Sequence, residues 1–196
     1  IDCAGWLRGT DIRVFAQRIL TERSDLDVVV FLNEKGEKMA FVRGQVEPQS
    51  FEGLRVEPHK RFTIYDQLHT VGINIPQDKG AACLMTLGKE MIQRDYQQGI
   101  FRMRKILEAQ KARLVYDDEG LDALRETIEM EEGKSPDYLD WMRFFITKQT
   151  MKRLHENYQS MKQRMECRLE NRLLRGIVQL SSDGDMVRAQ ALFRSS

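Results

Sequence analysis

Residues Leu26–Leu32 read Leu-Asp-Val-Val-Val-Phe-Leu, and no other stretch narrows the fold as much. Branched and aromatic side chains fit a pleated surface better than a helix. Apolar residues on successive positions leave such a strand no wet face, so the run predicts a strand covered on both sides. The polar segment Asn33-Glu34-Lys35-Gly36-Glu37-Lys38 reads as a turn, and Met39–Val42 returns as a second strand, giving a hairpin. Upstream, Thr10 or Asp11 can cap a helix from about Ile12 to Arg23, with Val14, Phe15, Arg18, Ile19 and Leu20 spaced for one buried face. Ile1-Asp2-Cys3 opens a strand-like start that runs to Gly5. Because it does not begin with Met, the chain is expected to be a segment of a larger protein.

Residues 44–60, with two Gly and two Pro, read as a loop. Arg61–Asp66 and Ala81–Leu87 read as strands. A helix is expected from Gly88 to about Lys111, and a last strand from Arg113 to Tyr116. This order predicts an α/β domain over residues 1–117, built on a mostly parallel sheet flanked by helices. After residue 118 no strand-like run appears, and residues 118–196 are expected to form an all-helical extension. Leu121–Glu131 reads as a short acidic helix. Ser135-Pro136-Asp137 reads as a helix start, with Ser135 as the cap and Pro136 in the first turn. The helix from Tyr138 to about Leu180 carries Met151, Leu154, Tyr158, Met161 and Met165 in steps of three and four. Leu169, Leu173 and Ile177 follow in steps of four, an amphipathic stripe that suits a coiled coil.

Composition closes several routes. Hydrophobic residues make up 41% and charged residues 31%, which excludes a disordered chain. With 31 basic and 30 acidic side chains the net charge is +1, so any nucleic-acid contact would need a local patch. Cys3, Cys83 and Cys167 are odd in number and far apart, which disfavours a disulfide framework or a cysteine metal site and fits an intracellular, cytoplasmic location. The apolar runs fall short of the roughly 20 residues that span a bilayer, so no membrane partner is expected.

Three segments could carry chemistry. In Gln98-Gly99-Ile100-Phe101-Arg102-Met103-Arg104-Lys105, the two arginines stand about 200° apart if the helix continues, so only one can serve a phosphate unless the helix ends or bends. A guanidinium suits a transferring phosphoryl group through its planar fork and permanent charge. The plainer reading is a solvated basic helix. In Asp66-Gln67-Leu68-His69-Thr70, a carboxylate follows an apolar strand, where phosphate-handling α/β proteins place a magnesium ligand. Gln67 cannot act as a base, and Asp66 could equally cap a turn. In Val71-Gly72-Ile73-Asn74-Ile75-Pro76, Gly72 permits a tight turn or a close backbone approach.

The stretch FTIYDQLHTVGINIPQDKGAACLMTLGKEMIQRDYQQGIFRMRK resembles a segment of a family of very large fungal and bacterial proteins. These carry domains of unknown function and helicase-like regions, and some are labelled as ubiquitin hydrolases. The family pattern is D-E-x-H-T-R-G-T-D-L-x-L-P, then a V-T-L-G strand, then a Q-A-C-M-R-M-R-K helix. This chain supplies Asp66, His69, Thr70, Gly72 and Pro76, then Thr86, Leu87 and Gly88, then Gln98, Arg102, Met103, Arg104 and Lys105. It departs at Gln67, Val71, Ile73 and Asn74, where the family has Glu, Arg, Thr and Asp. The resemblance covers Arg61–Tyr116. Its last block is also similar to the arginine-finger helix of superfamily-two helicases.

The resemblance implies a RecA-like second motor lobe. Arg102 or Arg104 would meet the nucleotide phosphates and Gln98 would help hold the interlobe face. Asp66, His69, Thr70 and Gly72 would form the coupling loop. No G-x-x-x-x-G-K-[ST] occurs, so ATP and Mg would bind only together with a missing N-terminal lobe of the same polypeptide, and the chain alone would hold no cofactor. No metal ligand is assigned within the chain itself. Two other functions stand beside this one. A cysteine, ubiquitin-directed hydrolase would pair Cys3, Cys83 or Cys167 with His59, His69 or His155. A non-enzymatic scaffold would dock a protein partner, or a second copy, through the helical tail. Nucleic-acid binding would use Lys111, Arg113 and the basic residues of that tail, but acids interleave with them.

Overall fold

The computed structural model describes residues 1–69 and 72–182, and it is a mixed α/β structure. The first helix, α1 (Ile12–Glu22), is capped by Asp11, whose carboxylate accepts from the Arg13 N–H at 2.9 Å. Ala16 and Leu20 are its buried residues, while Val14 faces solvent. Strand β1 (Val28–Leu32) is buried along its whole length, as its composition requires. Val29 and Phe31 point to a core with α1, whereas Val28, Val30 and Leu32 point to a second core with Tyr65 and Ile75.

The first sheet also contains β2 (Lys38–Val42), β3 (Gln49–Ser50) and β4 (Arg61–Thr63), in the order β3-β2-β1-β4. It is mixed rather than mostly parallel. The short turn at 33–37 forces β1 and β2 antiparallel, and the long 43–60 connection allows β4 to lie parallel to β1. The short strand β3 lies inside the stretch expected to be loop. A second sheet holds only β5 (Ala82–Leu87) and β6 (Lys111–Tyr116), which are parallel and paired along six residues.

Ile1–Cys3 stitches the two ladders together. The Asp2 N–H donates to the Tyr65 carbonyl at 2.7 Å. The Ile1 nitrogen donates to Leu84 at 2.7 Å, and Ile1 accepts from the Thr86 N–H at 3.1 Å, the spacing of a parallel bridge. The Asp2 side chain is 3% exposed yet fully used. Its two oxygens accept from the N–H groups of Gly5, Trp6 and Leu7 and from the Thr86 hydroxyl, all within 3.0 Å.

Helix α2 (Gln93–Ile100) is much shorter than the expected 88–111. Its end is set by neighbours. A Cβ at Gly99 would stand 2.4 Å from the Cys3 Sγ, so only glycine lets the helix lie this close. Beyond it the chain tightens into i→i+3 turns at Arg102 and Met103.

Helix α3 (Asp118–Ile128) starts earlier than expected, because Asp117 caps it by accepting from Gly120 at 2.7 Å. Helix α4 (Tyr138–Ser182) follows. Its cap is Asp137 rather than Ser135, for Asp137 and Asp140 each accept from the other's N–H. The chain divides into two compact units, Ile1–Gln149 and Thr150–Ser196. The division expected at residue 117 falls instead inside a core. Leu124 of α3 and Trp141, Phe144 and Phe145 of α4 pack with Met85 and Leu87 of β5, all at 1% exposure or less.

Candidate functional site

The turn after β4 is built on a carboxylate. Asp66 accepts from the His69 N–H at 2.9 Å and meets the imidazole Nδ1 at 2.7 and 2.8 Å through its two oxygens. Both side chains are partly buried, His69 the more so. The pairing fixes the ring and leaves Nε2 without a hydrogen bond among the described residues. Gln67 accepts from the Arg8 guanidinium at 2.6 Å. Thr70 and Val71 lie outside the described residues. Gly72 has φ +83°, a conformation natural to glycine, and nothing stands within 4 Å of where its Cβ would be.

Ile73, Ile75 and Pro76 are held by their backbone. The Tyr65 hydroxyl accepts from the Ile75 N–H at 2.8 Å, the Arg61 guanidinium donates to Pro76 at 2.7 Å, and the Arg102 guanidinium donates to the Ile73 carbonyl. Arg102 also donates to the Gln98 carbonyl at 3.4 Å and is only 8% exposed. Burial raises the Tyr65 phenol above its ordinary range, and the Arg102 and Arg104 charges nearby offset part of that rise.

The helix end separates the two arginines. Arg102 turns inward and is spent on carbonyl oxygens, while Arg104 is exposed. It is the backbone of Gln98, not its amide, that enters the site. The structure therefore brings Gln98 and Arg102 to the loop after Gly72, sets Asp66 and His69 together at the loop's start, and leaves Arg104 and Asn74 open to solvent.

Sequence reasoning gave no role to Arg61 and Tyr65, which bond the loop directly, or to Asp2 and Thr86, which bond each other. The one available signal was Asp2, a carboxylate at a strand end with Gly5 three residues on, a usual acceptor for turn N–H groups.

A cleft of about 220 Å³ opens beside Gln67, at the C-terminal ends of β5 and β6, with Trp6, Lys89, Asp117 and Glu119 on its walls. The helix starts near it are already occupied by carboxylates: Asp95 accepts from Ile92 at α2, and Asp117 caps α3. Lys89 is paired with Glu119 at 2.8 Å. This rim suits a cation or a neutral polar group better than a phosphate.

The thiols are poor nucleophiles in the first unit. Burial pushes Cys3 up to about 12 and raises Cys83 as well. Cys167 is exposed on α4. Among the described residues no group of three or more His, Cys, Asp or Glu could hold a metal ion, and no helix is long and apolar enough to cross a membrane. Lys111 and Arg113 are exposed on one face of β6. No family model, no curated protein and no solved structure matches this chain.

Proposed function

We propose that the chain acts as the second motor lobe of a divergent, RecA-like, superfamily-two helicase-like NTPase, and that it is inactive without a lobe that holds ATP and Mg. The observation that supports this reading best is the bond from Arg102 to Ile73. It joins the arginine block to the glycine loop across 29 residues of sequence, and these are two of the three blocks on which the resemblance rests. In this reading Arg102 clamps the loop and Arg104, exposed beside it, is the guanidinium that meets the γ-phosphate. His69, oriented by Asp66, starts the loop that couples nucleotide state to movement. The carboxylates on the helix starts disfavour the cleft near Trp6 as the phosphate site, which leaves the Arg104 side.

The test uses the longest natural polypeptide that contains this segment. ATP hydrolysis is expected there and absent in the 196-residue chain. Arg104→Ala should lower kcat by about 10³-fold, the worth of an arginine finger, with ATP binding retained. A polypeptide without any phosphate-binding loop, or hydrolysis indifferent to Arg104→Ala, would sink the reading.

The scaffold alternative draws on one observation of its own, the solvent-facing stripe of α4. A cysteine hydrolase draws on none in the first unit, where the two thiols are held protonated by burial.

A further inference from the structure

From Met151 to Leu173 the apolar stripe of α4 meets no partner among the described residues. Met151, Leu154, Tyr158, Met161, Met165 and Leu169 are each 56–63% exposed. A single helix in water draws most of its stability from packing an amphipathic face, so a stripe of this length calls for an occupant. From Met151 to Val178 it runs about 42 Å at the rise of an α-helix. Covering it with a second helix buries on the order of 800 Å² per copy, the size of a standard interface.

Charge indicates which occupant. Arg153, Arg164, Arg168 and Arg172 directly precede Leu154, Met165, Leu169 and Leu173. Glu166 and Glu170 directly follow Met165 and Leu169. Residues just before and just after a stripe position lie about 100° to either side of it. The stripe is thus edged by arginine on one flank and, over its C-terminal half, by glutamate on the other.

Two parallel helices place the leading flank of one against the trailing flank of the other. Arg164 and Arg168 then face the partner's glutamates. An antiparallel pair sets arginine flank against arginine flank. An anionic bilayer would be served by basic residues on both flanks, and Glu166 and Glu170 oppose it. Nearer the start of the stripe, Lys152, His155 and Lys162 occupy the trailing flank, so the attractive pairing is confined to the 164–170 segment. We infer that residues 151–178 form the seam of a parallel, two-stranded coiled coil with a second copy of this chain, its register fixed by Arg164 and Arg168 against Glu166 and Glu170. The inference stands apart from the motor reading and survives its failure.

The test is the mass of the full 196-residue chain by sedimentation equilibrium. Two copies are expected at the upper end of a range of about 1–100 μM, where moderate interfaces are populated. A monomer throughout overturns the inference, as does a monomer that binds phosphatidylserine vesicles or captures a different protein through the stripe. Orientation is read from Leu173→Cys in a Cys167→Ser background. Oxidation should link two copies through the introduced thiols, and an antiparallel pair would leave them unlinked. Glu166→Arg with Glu170→Arg should weaken the dimer about tenfold, and adding Arg164→Glu with Arg168→Glu should restore it. All four positions are exposed, so helicity is expected to persist in each variant. Loss without rescue overturns the charge register.

Discussion

Helix α4 has two stretches of similar apolar spacing and opposite surroundings. In the first, Trp141, Phe144 and Phe145 sit at steps of three and one and are 0–1% exposed. Their rings interlock with one another and with neighbours: Trp141 and Phe144 edge to face at 5.7 Å, Phe145 stacked on Tyr96 at 5.5 Å, and Trp141 tilted on Tyr116 at 5.1 Å. In the second, the stripe from Met151 to Leu173 is more than half exposed. Periodicity names the face a helix hides but not what hides it. Side-chain type separates the two stretches. Large planar rings specify one packed arrangement, whereas Met and Leu adapt to a partner helix.

The largest effect should come from breaking the ring cluster. Trp141→Ala is expected to cost the Ile1–Gln149 unit about 3–5 kcal/mol in denaturant unfolding, while Leu169→Ala should change that transition by less than about 0.5 kcal/mol. Similar losses would erase the contrast between the two stretches. Next comes Gly99→Ala, whose Cβ would crowd the Cys3 Sγ at 2.4 Å and the Met85 Cε at 3.2 Å. A loss of about 1–3 kcal/mol is expected, relieved in part by adding Cys3→Ala. An unchanged melting temperature would mean that α2 is free to shift away from Cys3.

The two arginines sharpen the comparison on a smaller scale. Arg102→Ala strips a donor from the Ile73 carbonyl and should cost about 1–3 kcal/mol, whereas the exposed Arg104→Ala should cost no more than about 0.5 kcal/mol. The reverse ranking would move the clamp role to Arg104.

The smallest effect is in pH. Cys3 is raised in the folded state to about 12, above the ordinary thiol value near 8.5. Between those values the folded thiol keeps a proton that the unfolded one has lost. Its contribution is therefore whole below about pH 8.5 and falls away as the pH rises toward 12. Stability measured from pH 7 to 10.5 should fall less steeply in Cys3→Ala than in the parent chain, and parallel curves would show that Cys3 is open to solvent.

Local chemistry explains which parts of this were legible in the sequence. The hairpin from Val28 to Val42 and the Asp11 cap depend on neighbours a few residues away, and both could be read. The aromatic triplet of α4 could also have been read, since Trp141, Phe144 and Phe145 share one helix face, but it is a much shorter run than the stripe starting at Met151. The early end of α2 is invisible in a sequence that offers good helix formers through residue 109. It depends on Cys3 lying against Gly99 and on Ile73 taking the Arg102 guanidinium. Of the candidate site, the turn-capping Asp66 and the glycine conformation at Gly72 were readable, although β4 ends at Thr63 rather than at Asp66. The inward turn of Arg102 and the outward turn of Arg104 were not, because a helix that ends changes which way each side chain faces.

The three-residue stitch at Ile1–Cys3 has a practical consequence. Among the described residues only this segment presents backbone to both ladders, giving one edge to Tyr65 and the other to Leu84 and Thr86. A recombinant piece begun at residue 8 would keep every strand of both sheets yet expose two raw edges and a hole beside Gly99. Raw edges recruit other chains, so such a truncation should yield inclusion bodies rather than a smaller version of the same unit.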